Sequence, residues 1–521
     1  MSKALAVIAG CGLSLAVLAA GCSSGTGGGG SSPAATSSAG GPGGSRAGAA
    51  SPALAWRSCA QLAPRLQCAS LKVPLNYAKP GGRKITLALT RLPATAPPGQ
   101  RQGALLVNPG GPGGSGLTMA AYAGQSLDPQ VAAQYDIIGF DTRGTGSSVP
   151  ALHCDPGYFS RARPDYIPAD KAEERAWISR ARGYAQDCQR KYGWLLPYMT
   201  TRDIARDLDS IRVALGQSKI SYLAFSYGTY IGQVYATMFP GRVRRMVLDS
   251  IVDPAGVWYR DNLQQDYAFQ GRVEAFFSWT ARYDATYRLG ATAAAVSRSW
   301  HAARQQLEDR PVAGSAGPLI GPDEFDDTFL AGGYNNQYWP SLAAALASYL
   351  HQGGTSQLRR LYQQIGKQDE NEFAVYNAVE CSDVSWPRSW ARWDTDARKI
   401  YKTAPYEAWD NTWFNAACAF WPVRGPQQPM KIGAAGLPGI LMLQGTGDGA
   451  TPYAGAQAAR RALPTARMVV VTGGGNHGQS LASPPNSCVN GYLNRYLATG
   501  ALPAGTGAVS ARCPANPLPV P

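Results

Sequence analysis

The stretch Ile220-Ser221-Tyr222-Leu223-Ala224-Phe225-Ser226-Tyr227-Gly228-Thr229-Tyr230-Ile231-Gly232 constrains the chain most. It reads as a short apolar strand, an abrupt turn at Ser226, and a helix that opens on small residues. That is the layout of a nucleophile elbow, in which a strained strand-to-helix turn pushes a serine hydroxyl clear of a sheet. The turn is tight, so the positions two before and two after the serine must be small, and Ala224 and Gly228 qualify. The usual pattern has glycine at both, and Ala224 adds one methyl beside the turn. The plainer reading is a buried strand ending in an ordinary serine turn, and the partners downstream decide between the two.

Around this stretch lie fully apolar runs of the kind found in a parallel sheet covered on both faces. They are Ala104 to Val107, Ile137 to Phe140, Tyr222 to Phe225, Val243 to Leu248, Ile440 to Leu443 and Met468 to Val471. Before them, Leu71 to Leu75 and Lys84 to Leu89 alternate like an opening pair of strands. Helical patterns fall between, at Asp203 to Leu215 with Thr201 as its possible cap, and at Thr229 to Met238. Alternating strand and helix predicts an α/β domain with a mostly parallel sheet and helices on both faces. Residues 256–430 lack comparable strand runs and carry Trp, Tyr, Gln and Arg at helix-like spacing. The expectation is a mostly helical cap inserted between a first core part, 55–255, and a C-terminal core part, 431–521.

The N-terminus predicts export. Lys3 and an apolar run from Ala4 to Ala20 precede Leu18-Ala19-Ala20-Gly21-Cys22, which reads as a signal peptide over 1–21 ending in a lipobox. Lipid on Cys22 would anchor the protein to the membrane; the alternative is plain secretion after cleavage at a nearby small residue. Residues 22–54 are Gly, Ser, Ala, Thr and Pro with almost nothing bulky, and read as a disordered tether. Of the ten cysteines, Cys11 and Cys22 belong to this leader. The remaining even set permits on the order of a hundred pairings. Sequence proximity favours Cys59–Cys68, Cys154–Cys188, Cys381–Cys418 and Cys488–Cys513. No cysteine or histidine spacing suits zinc, so neither metal nor cofactor is expected. The net charge of +14 comes with a charged fraction of only 16% and no long Lys/Arg block, which argues against a nucleic-acid partner.

A serine nucleophile needs a base, and the base needs a carboxylate to orient it. Of only four histidines, His153 precedes the elbow, and His301 and His351 fall in the expected cap. His477 follows the last apolar strand in Gly473-Gly474-Gly475-Asn476-His477-Gly478, at the edge of an α/β sheet where catalytic groups gather. Asp448, in the turn-rich loop after the penultimate strand, is the expected acid, with Asp249 and Asp253 as competitors. The oxyanion hole is expected from Val107-Asn108-Pro109-Gly110-Gly111-Pro112-Gly113-Gly114-Ser115-Gly116, with the amides of Gly111 and Tyr227 as donors. A phosphate loop is the rival reading, but the Lys-Ser/Thr ending is missing and the prolines remove amides. The loop Asp141 to Ser148 reads as a structural support for the strand exit.

Taken together, the glycine loop, Asp141 to Ser148, Phe225 to Thr229, Gly445 to Pro452 and His477 resemble the actinobacterial secreted tripeptidyl aminopeptidases. These belong with the proline iminopeptidase-related α/β-hydrolases. The resemblance spans Trp56 to Cys513 and implies the α/β-hydrolase fold with a helical cap and Ser226, Asp448 and His477 as triad. It also implies cleavage of short peptides from a free N-terminus. Departures from the pattern are Ala224 and the glycines Gly447 and Gly449 beside the acid. An exopeptidase must hold an ammonium group, and a cap carboxylate can do so by a charge-assisted hydrogen bond. Glu380 and Asp383 are the candidates, with Trp421 and Tyr227 as pocket walls; each could equally be a solvated charge or a packing aromatic. The competing functions are a carboxylesterase or lipase using the same triad, and a non-catalytic surface protein. An epoxide hydrolase or dehalogenase would carry aspartate where Ser226 stands.

Overall fold

The computed structural model describes residues 54–159, 162–312 and 320–521. The expected signal peptide, the lipobox with Cys22 and all but the end of the tether lie outside the described residues.

One sheet of ten strands organises the molecule. In chain order the strands are β1 (Arg57–Ser58), β2 (Gln67–Pro74), β3 (Lys84–Leu92), β4 (Gly103–Asn108) and β5 (Tyr135–Phe140), followed by β6 (Ile220–Phe225), β7 (Val243–Asp249), β8 (Ile440–Gly445), β9 (Ala466–Thr472) and β10 (Ala511–Pro514). In space the order is β1-β2-β3-β5-β4-β6-β7-β8-β9-β10. The joins β1/β2, β2/β3 and β3/β5 are antiparallel, and every later join is parallel. The strand order reverses beside β4, whose neighbours are β5 and β6, and such a switch point opens a crevice at the carboxyl ends of the strands. The registers Asn108↔Ala224, Phe225↔Asp249, Asp249↔Leu443 and Gly445↔Val471 bring those ends into line.

The apolar runs are buried because each strand feeds two cores. Tyr222, Ala224, Met246, Leu248 and Met442 face one side, and Leu223, Phe225, Val247 and Leu441 face the other. The first side is covered by helices Thr201–Ala214 and Tyr227–Met238, the second by Met119–Ser126 and Ser487–Thr499. Thr200, not Thr201, caps the first of these helices, because its hydroxyl accepts the Asp203 amide. Thr201 is released for other contacts, described below. All four disulfides join the expected pairs.

Between β7 and β8 the described elements are helices, beginning with Tyr259–Arg282. They build a separate core from Phe276, Trp279, Trp300, Phe325, Phe329 and Trp339. Helix Lys171–Tyr192, which the sequence analysis did not anticipate, packs against them. Its Trp177 stacks on Trp413 at 5.5 Å between centroids. The helix is capped by Asp170, whose carboxylate accepts the amides of Ala172 and Glu173. Its buried face is Trp177, Ala181, Tyr184, Ala185 and Cys188, a helical period written in small and polar-edged residues. Among the described residues no helix is long and apolar enough to cross a membrane.

The loop from Asp141 to Ser148 supports the crevice as expected. Asp141 accepts from Ser115 Oγ, Gly116 N and Ser147 N, and Arg143 makes a bidentate pair with Asp207, both contacts 2.7 Å. Arg143 is fully buried and Asp207 is 2% exposed. Removing one partner leaves the other charge stranded, which costs about 3–5 kcal/mol. Asp207→Ala is expected to destabilise by that amount in thermal or denaturant unfolding, and Arg143→Met/Asp207→Leu by much less.

Candidate active site

Ser226 ends β6 with φ 55° and ψ −131°, a left-handed geometry that costs a non-glycine residue strain and persists at functional turns. Every residue from Ile220 to Ala236 is buried except Ser226. The tightness of the elbow shows in its neighbours. A Cβ on Gly228 would lie 2.5 Å from Asn108 Oδ1 and 3.0 Å from the Ala224 methyl. The extra methyl of Ala224 is therefore accommodated because Gly228 has none.

The glycine loop after β4 closes against this elbow. Gly110, at φ 101°, passes so close that a Cβ would sit 2.9 Å from Ser226 Cβ and 3.1 Å from Tyr227 N. Its own amide donates to Asn108 Oδ1. The amides of Gly111 and of Tyr227, the first residue of its helix, have no acceptor among the described residues. First-turn helix amides are left unpaired in this way, so both are available to a developing oxyanion.

Asp448 and His477 face each other from the loops after β8 and β9. His477 Nδ1 lies 3.0 and 3.1 Å from the two Asp448 oxygens. Ala450 N and Thr451 N donate to Oδ1, and Thr451 Oγ1 to Oδ2, each at 3.0 Å. The Asp448 side chain is 0% exposed and that of His477 13%, so the acid is sealed while the base is reachable. Burial alone would raise the Asp448 pKa; His477 and the hydrogen bonds outweigh it and hold the carboxyl below its ordinary range. For His477, burial favours the neutral ring, but Asp448, with Asp249 behind it, overcomes this and raises the pKa. An ionised carboxylate only accepts, so Nδ1 carries the proton and Nε2 is left as the basic nitrogen.

Asp249 does different work. Its carbonyl accepts Ser226 N at 3.1 Å, and its carboxylate accepts Gln479 N, Ser480 N and Ser480 Oγ. It ties the elbow to the loop that carries His477 without meeting the ring. Asp253 accepts Ala255 N and pairs with Arg260, shaping the exit from β7.

The expected substrate-binding residues separate. The Asp383 carboxylate is taken up by Thr201 N, Thr201 Oγ1 and Trp258 Nε1, so it braces helices instead of facing a ligand. Trp421 is 1% exposed and donates to Ser382 Oγ, a core position beside the Cys381–Cys418 bridge. The Tyr227 ring is buried with its hydroxyl on Thr201, leaving only its amide at the site. The Glu380 carboxylate, also buried, is held by the Tyr376 hydroxyl and, at 3.4 Å, by Asn262 Nδ2. Two turns earlier on helix Glu370–Asp383 is Glu372, which sequence reasoning missed. It is half-buried against the glycine loop, with Oε1 3.7 Å from where a Gly114 Cβ would be, and no hydrogen bond holds its carboxylate. Glu372, Tyr376 and Glu380 recur every fourth residue and share one face. That spacing was the signal available in the sequence. Burial pushes Glu372 up to about 7 and Glu380 to about 8. Among the described residues no three His, Cys, Asp or Glu side chains are grouped to hold a metal ion.

A family model described as the alpha/beta hydrolase fold matches residues 103–482. This chain belongs to that family. Over 490 residues it is 40% identical to the tripeptidyl aminopeptidase of Streptomyces coelicolor, spanning 91% of this chain and 88% of that one. It is 32% identical over 500 residues to serine protease Hip1 of Mycobacterium tuberculosis, covering 88% and 92% of the two chains. A protein of the same organism named carboxylesterase B is 32% identical over 478 residues, covering 87% and 89%. Within the α/β-hydrolases the chain stands with the tripeptidyl aminopeptidases.

Two outcomes follow from this geometry. Because a base must be neutral to accept a proton, the acid limb of kcat/KM is expected above the ordinary imidazole pKa of about 6.5. Asp448→Asn removes the group that raises it, so the limb should move to lower pH while kcat falls by about 10⁴. Gly228→Ala should displace Asn108 and the glycine loop with it, lowering the rate of acyl transfer without unfolding the sheet, as read by circular dichroism.

Proposed function

We propose that the protein is an exported serine exopeptidase that releases short peptides, two or three residues long, from free N-termini. The observation that carries this reading is the Asp448–His477 pair at the same sheet edge as the strained Ser226. In the proposed cycle Ser226 Oγ attacks the scissile carbonyl as His477 Nε2 takes its proton. The amides of Gly111 and Tyr227 stabilise the oxyanion. His477 then protonates the leaving amine as the C–N bond breaks, and the N-terminal peptide stays on Ser226 as an acyl ester until water, deprotonated by His477, frees it. Relatives named tripeptidyl aminopeptidase and serine protease support the class of substrate.

The free N-terminus is assigned to the carboxylate row Glu372 and Glu380 on the cap helix, which starts beside the oxyanion loop. An ammonium there would convert two destabilised carboxyls into charge-assisted hydrogen bonds. Peptide substrates are the proposed partners; the lipobox supports a lipid anchor at Cys22, and four disulfides suit an oxidising compartment. The second reading, a carboxylesterase, is favoured by one relative's name and uses the same Ser226, Asp448 and His477.

Hydrolysis of a chromogenic Ala-Pro-Ala amide beside its N-acetylated twin and a short nitrophenyl ester separates the two. Turnover of the free tripeptide with the acetylated one slower by at least about tenfold, and loss of both in Ser226→Ala, is the expected outcome. Ester turnover with both peptides untouched would make it an esterase. Glu372→Gln and Glu380→Gln should each raise KM for the free tripeptide by about 10- to 100-fold, the worth of a charged hydrogen bond, and leave KM for the ester unchanged. Since an ammonium favours the ionised carboxylates, KM for the free peptide should fall as pH rises from about 6 towards 8, until the peptide amine itself deprotonates near pH 8.

A further inference from the structure

Three glycines around the candidate acid and base have the same neighbour. Helix Tyr259–Arg282, the first of the insertion, presses Phe269 and Arg272 into the space where their side chains would be. A Cβ on Gly449, next to Asp448, would lie 2.9 Å from Phe269 Cδ1 and 3.1 Å from Arg272 Cγ. On Gly475, two residues before His477, it would lie 1.8 Å from Arg272 Nη1. On Gly333, beside Tyr334, it would lie 2.7 Å from Phe269 Cδ1. Arg272 is 7% exposed, donates through Nε to Gly333 O at 3.0 Å and lies over the Trp339 ring.

The segment that Arg272 holds is bonded to the histidine loop. His477 N donates to Tyr334 O at 2.8 Å, and Asn336 N to Asn476 Oδ1 at 2.9 Å. The Tyr334 ring meets the His477 ring edge to face, 5.6 Å between centroids, and Phe269 packs behind Tyr334. The backbone amide of the candidate base is thus satisfied by the insertion and not by the sheet. One side chain thus lies against the acid loop through its Cγ, against the base loop through its guanidinium, and bonds the insertion at Gly333 O.

We propose that Arg272, with Phe269, is a positioning residue for catalysis: helix Tyr259–Arg282 clamps the loops of Asp448 and His477 through Gly333, Gly449 and Gly475, so that the acid–base pair is aligned by the cap as well as by the core. The inference rests on reading Ser226, Asp448 and His477 as the triad. Among the described residues no carboxylate forms an ion pair with Arg272. Burial lowers its pKa to about 10, and Asp448 partly offsets this. The charged and titratable groups around His477 are Asp448 from the loop after β8 and Tyr334 from the end of helix Pro322–Tyr334, which meet the ring, Asp249 at the end of β7, which acts on it at a distance, and Arg272, which lies against Gly475 two residues away. Losing the cation should therefore make the imidazolium easier to form.

The test uses the whole mature enzyme with a fluorophosphonate, which labels an activated serine whatever its natural substrate, and the nitrophenyl ester across pH. Arg272→Ala is expected to slow labelling of Ser226 and kcat by about 10- to 100-fold, the cost of a small misplacement of a catalytic group. KM should stay within about twofold and the acid limb should move to higher pH. Gly475→Ala should cause a similar loss in wild type and little further loss in Arg272→Ala, because the collision partner is gone. Arg272→Lys, which keeps the charge but not the planar contact, should slow labelling with the acid limb unmoved, and it serves as the test if Arg272→Ala does not fold. Labelling at the wild-type rate in both Arg272 variants, or losses from Arg272→Ala and Gly475→Ala that multiply, would overturn the clamp alone. Failure to label Ser226 in the wild type would overturn the triad, and the clamp with it.

Discussion

The site depends on one buried carboxylate that performs no proposed chemistry. Asp249 ends β7 between the strand that carries Ser226 and the strand that precedes Asp448. Its main chain holds the Ser226 amide, and its side chain holds the amides of Gln479 and Ser480, just past His477. Ser250 adds a hydrogen bond to Gly478 N. A strained turn and a glycine-rich loop are each poorly determined by their own backbones. Anchored to the same residue in the middle of a parallel sheet, they acquire a fixed separation. Burial pushes the Asp249 carboxyl up to about 6 against the donors that surround it, the electrostatic cost of placing a charged hub where solvent cannot reach.

The helical insertion acts on this edge from above in two ways. Helix Glu370–Asp383 sets Glu372 beside the glycine loop, with Tyr376 and Glu380 further along the same face. Helix Tyr259–Arg282 grips the loops behind the pair Asp448–His477. Ridge and site are connected by short paths: Asp383, Thr201 and the Tyr227 hydroxyl form a chain of hydrogen bonds from the cap helix to the residue after the nucleophile. Proteins in which a lid only selects substrates need no such wiring, and here the lid is part of the frame that holds the base.

Much of the frame is legible in the sequence. The apolar runs became strands because short stretches dominated by Val, Ile, Leu, Met and aromatic residues suit a strand buried on both faces. Asp448 and His477 came from order and from the scarcity of histidine. The helix Lys171–Tyr192 was not readable, since its buried face is Ala, Tyr and Cys with one Trp, and such residues carry little periodic contrast. Glu372, Glu380 and Asp383 lie on one helix and look alike in the sequence. Their fates differ because Asp383 is bonded by Thr201 and Trp258, residues far away in the chain, whereas the glycine loop that packs on Glu372 offers its carboxylate no hydrogen bond. The glycines Gly449 and Gly475 looked like turn residues, and their reason lay in a helix about two hundred residues upstream.

The sequence by itself determined the elbow, the sheet edge and the candidates for acid and base, because each is a local pattern: period, spacing, or a residue type with few alternatives. Only the tertiary structure decided which carboxylates remain open to a ligand, which aromatic rings are core, and what aligns the base. Those are questions of what occupies the space beside a side chain, and in a packed interior that space is filled by residues remote in the chain.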